Sequence, residues 1–247
     1  MSRLTDETII VTGASRGLGR SMASRFAEEG ANVVLVARSR DDLEAVANDA
    51  ASGAGEVLVA PADVTERDEV EAAVDAAVET FGELTGLVNN AAIGLLSLYD
   101  ERRDLVDVDE ADWELILDVN LSGVYRCSKA AVPHMREAGR GTVINVSSGL
   151  GRRAAAGWSP YVASKWGLEG LTRTLAMELE EDGITVNAVD PGGRVDTGFW
   201  DHLPDRERAE ILGPDAMDEA AVLLASQGPD GITGESKTAR EWERTLE

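Results

Sequence analysis

Cysteine, histidine, lysine and aromatic residues are all scarce in this chain of 247 residues. Its one cysteine, Cys127, cannot form an internal disulfide, which suits a reducing compartment. The two histidines, His134 and His202, belong to no cluster with metal-ligand spacing, so no metal is expected. No apolar run is long enough to span a bilayer, and no signal segment opens the chain. A cytoplasmic protein without a membrane partner is therefore expected. Only three lysines are present, Lys129, Lys165 and Lys237; 46 acidic residues face 23 basic ones, for a net charge of −23. That field repels phosphates and argues against nucleic acid as a partner. The length suits one α/β domain, residues 1–247, with a sizeable core.

What is present begins with a glycine turn. Residues 8–11 form a β-branched apolar run that leads into Thr12-Gly13-Ala14-Ser15-Arg16-Gly17-Leu18-Gly19. Residues 20–29 then carry Met22, Phe26 and Ala27 at helical spacing, Gly30 offers a stop, and a second apolar run covers 33–36. Strand, glycine turn, helix and strand in that order form a cradle in which backbone N–H groups can approach a pyrophosphate. The spacing is G-x-x-x-G-x-G rather than G-x-G-x-x-G.

The end of the second strand bears on cofactor choice. A carboxylate about twenty residues after the glycines would bind a ribose 2′-hydroxyl. Here the strand ends at Ala37-Arg38-Ser39, and Asp41 and Asp42 come later. Arg38, with Arg16 from the glycine loop, can instead take a 2′-phosphate. NADP(H) is expected in preference to NAD(H).

Tyr161 and Lys165 stand four apart, and Ser148 lies thirteen residues before the tyrosine. Four residues is about one helical turn, so phenol and ammonium share a face. A nearby cation favours phenolate and is expected to lower the Tyr161 pKa toward neutrality. The Ser148 hydroxyl can hydrogen-bond a substrate oxygen, although Ser147 beside it is a rival.

Six strand candidates, 8–12, 33–37, 56–60, 86–89, 142–146 and 184–188, alternate with helical segments. The alternation predicts a doubly wound parallel sheet in a single three-layer α/β/α domain. Residues 68–81 read as an amphipathic helix with Val70, Val74, Ala77, Val78 and Phe81 inward. Residues 112–132 read as a longer helical segment carrying Asn120, and His134 falls at its end. Leu168, Leu171, Leu175 and Leu179 continue a helical stripe after Tyr161. Two irregular segments, 94–109 and 193–213, are expected to set specificity, with Trp158, Phe199 and Trp200 as candidates to line an apolar pocket.

Together these residues resemble the short-chain dehydrogenase/reductase family, in its form of about 250 residues that includes 3-oxoacyl-carrier-protein reductases. Thr12 to Gly19 is similar to the family's T-G-x-x-x-G-x-G, Asn89-Asn90-Ala91-Ala92 to its N-N-A-G, and Pro191-Gly192 with Thr197 to its P-G-x-x-x-T. The resemblance implies a Rossmann-like fold and a catalytic set of Asn120, Ser148, Tyr161 and Lys165. It implies cofactor contacts from Gly13, Ser15, Arg16, Gly17, Leu18, Gly19 and Arg38, and from Asp63 and Val64 near the adenine. Asn90, Ala91, Tyr161, Lys165, Pro191, Gly192, Val195 and Thr197 would complete that site. It further implies hydride transfer between NADP(H) and a small carbonyl or alcohol substrate. Tyr161 would be the general acid, Lys165 would tune it and hold the ribose, Ser148 would hold the carbonyl oxygen, and Asn120 would position a water. A homo-oligomer, tetramer or dimer, is expected. The alternatives are a non-catalytic dinucleotide-sensing module on the same fold, and an epimerase or dehydratase of the extended type, which usually carries a larger C-terminal domain.

Three positions depart from the family pattern. Ala92 replaces a usual glycine, the Pro191 to Thr197 segment is one residue longer, and a charged tail follows Ile232-Thr233-Gly234 where an apolar strand is usual. The last strand is therefore expected to be short or absent. Abundant acid with little lysine also resembles proteins of salt-accumulating halophiles, because at molar salt the Debye length falls to about 3 Å and self-repulsion fades.

Overall fold

The computed structural model describes residues 2–51, 53–197 and 211–247. Strand β1 (Thr8–Thr12) leads into helix α1 (Gly17–Glu28), followed by β2 (Asn32–Val36), α2 (Arg40–Ala50), β3 (Val57–Val59) and α3 (Arg67–Phe81). Then come β4 (Gly86–Asn89), the short α4 (Leu95–Tyr99), α5 (Glu110–Leu117), α6 (Gly123–Ala138) and β5 (Gly141–Val146). The long α7 (Ser159–Leu179), β6 (Ile184–Asp190), α8 (Asp218–Ala225), β7 (Ser236–Thr238) and α9 (Ala239–Leu246) complete the described elements. All seven strands are parallel, in the order β3-β2-β1-β4-β5-β6-β7. The order reverses between β1 and β4. In an open parallel sheet that reversal leaves a crevice at the carboxyl ends of the strands.

Strand periodicity builds two cores. Ile9, Val11, Val33 and Leu35 face one side and pack with Phe26 and Leu43 of α1 and α2, and with Leu224 and Trp242 of α8 and α9. Their neighbours Ile10, Val34 and Val36 face the other side, against Val70, Val74, Met135 and Leu179 of α3, α6 and α7. Residues buried on both faces explain why these strands read as continuous apolar runs rather than alternating ones. Cys127 is buried in the second core, and burial pushes its thiol up to about 12.

Several boundaries differ from expectation. Helix α1 starts three residues earlier than the sequence suggests, inside the glycine loop. The segment 112–132 is one run of helix broken by a π-helical turn at Asp118–Ser122, and α6 continues past His134 to Ala138. Segment 94–109 is less irregular than expected, since it holds α4 and a 3₁₀ turn at Leu105–Asp107.

The expected charged tail is the main correction. A seventh strand exists, and it is short: three residues pairing with β6. After it, Thr238 caps α9, accepting from the Glu241 amide while the Glu241 carboxylate accepts from the Thr238 amide at 2.8 Å. Trp242 is fully buried and donates its indole N–H to the Ala188 carbonyl at 2.9 Å. One indole anchors an otherwise charged helix, because helical spacing leaves its charged neighbours facing solvent.

Candidate active site

Loops after β1 through β6 border one cleft of about 1700 Å³. Gly13, Ser15, Arg16 and Leu18 line it from the loop after β1. Gly17 and Gly19 shape that loop without reaching the cleft wall. Gly13 and Gly17 have φ of 65° and 56°, which an L side chain rarely adopts. Gly19 is required for a different reason: a Cβ there would sit 2.3 Å from the Gly13 carbonyl oxygen.

Two residues staple this loop to the end of β4. The Thr12 hydroxyl accepts from the amides of Asn90 and Ala91 at 3.0 and 3.1 Å. The Asn90 side chain donates to the Thr12 and Gly13 carbonyls at 2.9 and 3.2 Å. Sequence reading placed Thr12 in the glycine motif without seeing this role. Asn89 points inward and donates to the Asn145 side chain at 2.9 Å, a structural bond to a residue on β5. Ala92 lines the cleft with ordinary backbone, since the only non-glycine residues at positive φ among those described are Asp6 and Asp100.

At one end of the cleft lie Arg38, Asp63 and Val64. Arg16 and Arg38 are exposed, and among the described residues neither forms an ion pair. Ser39 caps α2 by accepting from the Asp42 amide at 3.3 Å, which starts a helix beside Arg38. Asp63 closes a local turn by accepting from the Thr65 amide and hydroxyl at 2.9 and 2.7 Å.

At the other end Ser148, Tyr161 and Lys165 come together. Ser148 follows β5, and its hydroxyl is hydrogen-bonded to Tyr161. Ser147 is removed as a rival: it is buried and donates to Glu169 Oε1 at 2.6 Å. Trp158 lines the cleft and meets Tyr161 edge-on, with ring centroids 5.7 Å apart. Phe199, Trp200 and His202 lie outside the described residues.

The Tyr161 pKa runs opposite to expectation. Burial pushes the phenol up to about 12, the Ser148 bond opposes this, and the Asp190 charge adds to it. Lys165 does not pull it down, because its ammonium donates to the Val146 carbonyl at 2.8 Å and lies 5.7 Å from the tyrosine ring centroid. Burial also lowers Lys165 to about 8, with the Glu169 carboxylate one turn on opposing the drop. The sequence fixes the helical spacing but not where the ammonium points.

Asn120 does not line the cleft. It sits buried in the π-helical turn, its amide oxygen accepting from Ile93 N–H at 2.8 Å. Its amide nitrogen donates to the Ile93 carbonyl at 2.8 Å and to Ser164 Oγ at 3.1 Å. With both ends of the amide engaged, the side chain ties the segment after β4 to α7.

Behind the site lies a network that sequence reading missed. Asp190, at the end of β6, accepts from the Gly192 amide at 2.8 Å and pairs with Arg152. Arg152 also reaches Glu169 Oε1 at 3.3 Å. The network sets the Pro191-Gly192 turn, with Gly192 at φ 76°, over the cleft. The lengthened segment beyond it still returns to the glycine loop. Val195 lines the cleft and bridges to Leu212, and a Cβ on Gly17 would sit 3.0 Å from the Thr197 methyl. The signal for Glu169 was available, since it follows Lys165 by one helical turn.

A glycine cradle at the strand-order reversal, with serine, tyrosine and lysine at one end, defines a class of dinucleotide-dependent enzyme folds. The short chain dehydrogenase model matches residues 7–208. The chain is 34% identical over 242 residues to a 3-oxoacyl-[acyl-carrier-protein] reductase, FabG, of Thermotoga maritima, covering 94% of this chain and 96% of that one. Carveol dehydrogenase of Mycobacterium avium, solved with NAD, superposes with a TM-score of 0.87 at 28% identity, over 96% of this chain and 97% of the other. A metagenomic short-chain oxidoreductase solved with NADP gives a TM-score of 0.82 at 32% identity, over 96% and 98%.

The chain therefore belongs to the short-chain dehydrogenase family. It is an oxidoreductase acting on C=O and CH–OH groups.

Proposed function

We propose that this protein transfers a hydride between NADP(H) and a small carbonyl or secondary-alcohol substrate, with Tyr161 as the proton donor in reduction. The observation that carries this reading is the convergence of Ser148, Tyr161 and Lys165 at one end of a cleft whose other end presents Arg16 and Arg38. The cleft fits a dinucleotide: Gly13, Ser15, Arg16 and Leu18 line it at the entry to α1, where backbone N–H groups at a helix N-terminus suit a phosphate. Bound there, NADPH supplies the hydride.

The chain's own groups do the rest. Ser148 holds the carbonyl oxygen and stabilises charge developing on it. Tyr161, held near 12, is fully protonated at neutral pH, the form required to donate to that oxygen. Lys165 holds the ribose and supplies positive charge beneath the phenol. Asn120 positions the segment that faces them. Gly13, Ser15, Arg16, Leu18, Asn90 and Ala91 would hold the phosphates and adjoining ribose, and Asp63 and Val64 the adenine. Pro191, Gly192, Val195 and Thr197 would hold the nicotinamide end.

Arg38 and Arg16 support the NADP(H) preference, since nothing among the described residues neutralises them. Large apolar side chains left exposed on α6 and α7, Tyr125, Trp166 and Met177, support a homo-oligomer. The buried lone cysteine supports a cytoplasmic setting, and no described helix is long and apolar enough to cross a membrane. The charge of −23 supports a salt-rich one.

Titration with NADPH and NADH in molar KCl tests the cofactor reading. NADPH is expected to bind at least about tenfold tighter, with the difference lost in Arg38→Ala. Tighter NADH binding contradicts it. Retention of native structure after transfer to salt-free buffer contradicts the salt-rich setting.

A further inference from the structure

Arginines in this acidic protein are mostly captured by carboxylates: Arg3 by Glu29, Arg126 by Asp118, Arg136 by Asp182, Arg140 by Glu7 and Arg152 by Asp190. Even Arg103, next in sequence to Arg102, is paired with Glu101 and Asp112. Arg102 and Arg153 are exceptions. Both line the cleft, both are exposed, and among the described residues neither forms an ion pair.

Their places in the cleft are informative. Arg102 lies over the Trp158 ring, its guanidinium carbon 5.8 Å from the ring centroid, and Trp158 in turn meets Tyr161. The Arg153 guanidinium lies 3.6 Å from where a Cβ on Gly149 would be, and Gly149 follows Ser148. The two cations therefore lie beside neighbours of Ser148 and Tyr161, and they come from two different segments, one after α4 and one after β5. The other unpaired cleft arginines, Arg16 and Arg38, follow β1 and β2. From β2 to β5 is three inter-strand steps in the sheet order, about 14 Å. A cofactor phosphate held by Arg38 therefore leaves Arg102 and Arg153 unanswered.

Resting on the hydride-transfer reading, the geometry points to a substrate that carries its own anionic group: a short oxo acid, whose carboxylate is held by Arg102 and Arg153 a few bonds from the carbonyl at Ser148 and Tyr161. Guanidinium matches a carboxylate in geometry, and Arg102 lies over the Trp158 ring within cation-π range. In a chain of net charge −23, two cations at the site without an ion pair among the described residues are also the local attraction an anionic substrate needs to enter. The apolar wall beside them, with Leu98 and Trp158, suits a short carbon chain between carboxylate and ketone.

The test compares 4-oxopentanoate with methyl 4-oxopentanoate on the full chain at fixed ionic strength, with saturating NADP⁺ for binding and with NADPH in its place for turnover. Binding is read by calorimetry and turnover by NADPH oxidation. The acid is expected to bind at least about tenfold tighter than the ester, and the ratio to fall toward one in Arg102→Gln/Arg153→Gln. Both arginines are exposed, so the double variant is expected to fold, and its NADP⁺ affinity checks this. Equal binding of acid and ester, or an acid preference that survives the double variant, overturns the proposal. Turnover of the ester without acid preference would overturn it while leaving the hydride-transfer reading intact. Acid-selective binding lost in the variant, with neither compound reduced, would support the anion site and count against hydride transfer to this carbonyl.

Discussion

Gly19→Ala should damage the cofactor cradle although the position is ordinary helix. Gly19 is in the first turn of α1 and has no positive φ, so backbone strain is not the cause. A Cβ there would sit 2.3 Å from the Gly13 carbonyl oxygen and 2.5 Å from Asn90 Nδ2. Relief requires a shift of about 1 Å in a carbonyl whose residue is held in the left-handed region. That shift strains the two Asn90 bonds to Thr12 and Gly13, each worth about 0.5–1.5 kcal/mol. With overpacking of about 1–3 kcal/mol, the expected loss of stability is about 2–4 kcal/mol. Gly170→Ala is the internal control. Gly170 lies in α7 with nothing within 4 Å of its Cβ position, so the same substitution should stabilise by about 0.5–1 kcal/mol. Urea unfolding in molar KCl reads both, and NADPH titration should show at least a tenfold loss for Gly19→Ala alone. A Gly19→Ala protein as stable as the parent, with unchanged affinity, would refute the crowding argument.

Trp242→Ala should cost about 3–5 kcal/mol, because it empties a buried indole site and removes the indole bond to the Ala188 carbonyl; a change under about 1 kcal/mol in urea unfolding would mean that α9 is not anchored there. Asp218→Asn should stabilise at neutral pH. Burial holds this carboxyl at about 6 against an ordinary 3.8, with the Ser21 hydrogen bond opposing. A raised carboxyl pKa costs the folded state above pH 6 and costs nothing below about pH 4, so stability falls as pH rises between them. Partial exposure and the start of α8 reduce the gain to about 1 kcal/mol. Melting temperatures of both proteins at pH 7.5 and pH 4 check it, and an equal gain at the two pH values would contradict the assignment.

The fold was legible where local pattern and tertiary role coincide. Residues 8–12 are apolar because β1 is central and covered on both faces, so the run announces the strand. Tyr161 and Lys165 were legible because a helical turn alone brings them onto one face. What depended on distant partners was not. Nothing in the sequence distinguishes the π-helical turn at Asn120 from ordinary helix, and its amide partner, Ile93, lies on another segment. The direction of the Tyr161 shift was hidden for the same reason, since it turns on Lys165 reaching the end of β5. Arg240, Glu241, Glu243 and Arg244 made residues 240–247 read as tail, because a single Trp242 carries the burial. Arg102 and Arg153 read as two more charges until their neighbours were seen to be paired while they, among the described residues, were not.

The most direct test of the central claim is deuterium transfer from NADPH labelled at nicotinamide C4, in molar KCl, to ketone and oxo-acid substrates by the parent and Tyr161→Phe. The account predicts one deuterium on the carbinol carbon of the product. It predicts turnover about 10²- to 10⁴-fold lower in the variant, with NADPH binding retained. Product without deuterium, or near-parental turnover without the phenol hydroxyl, would contradict it.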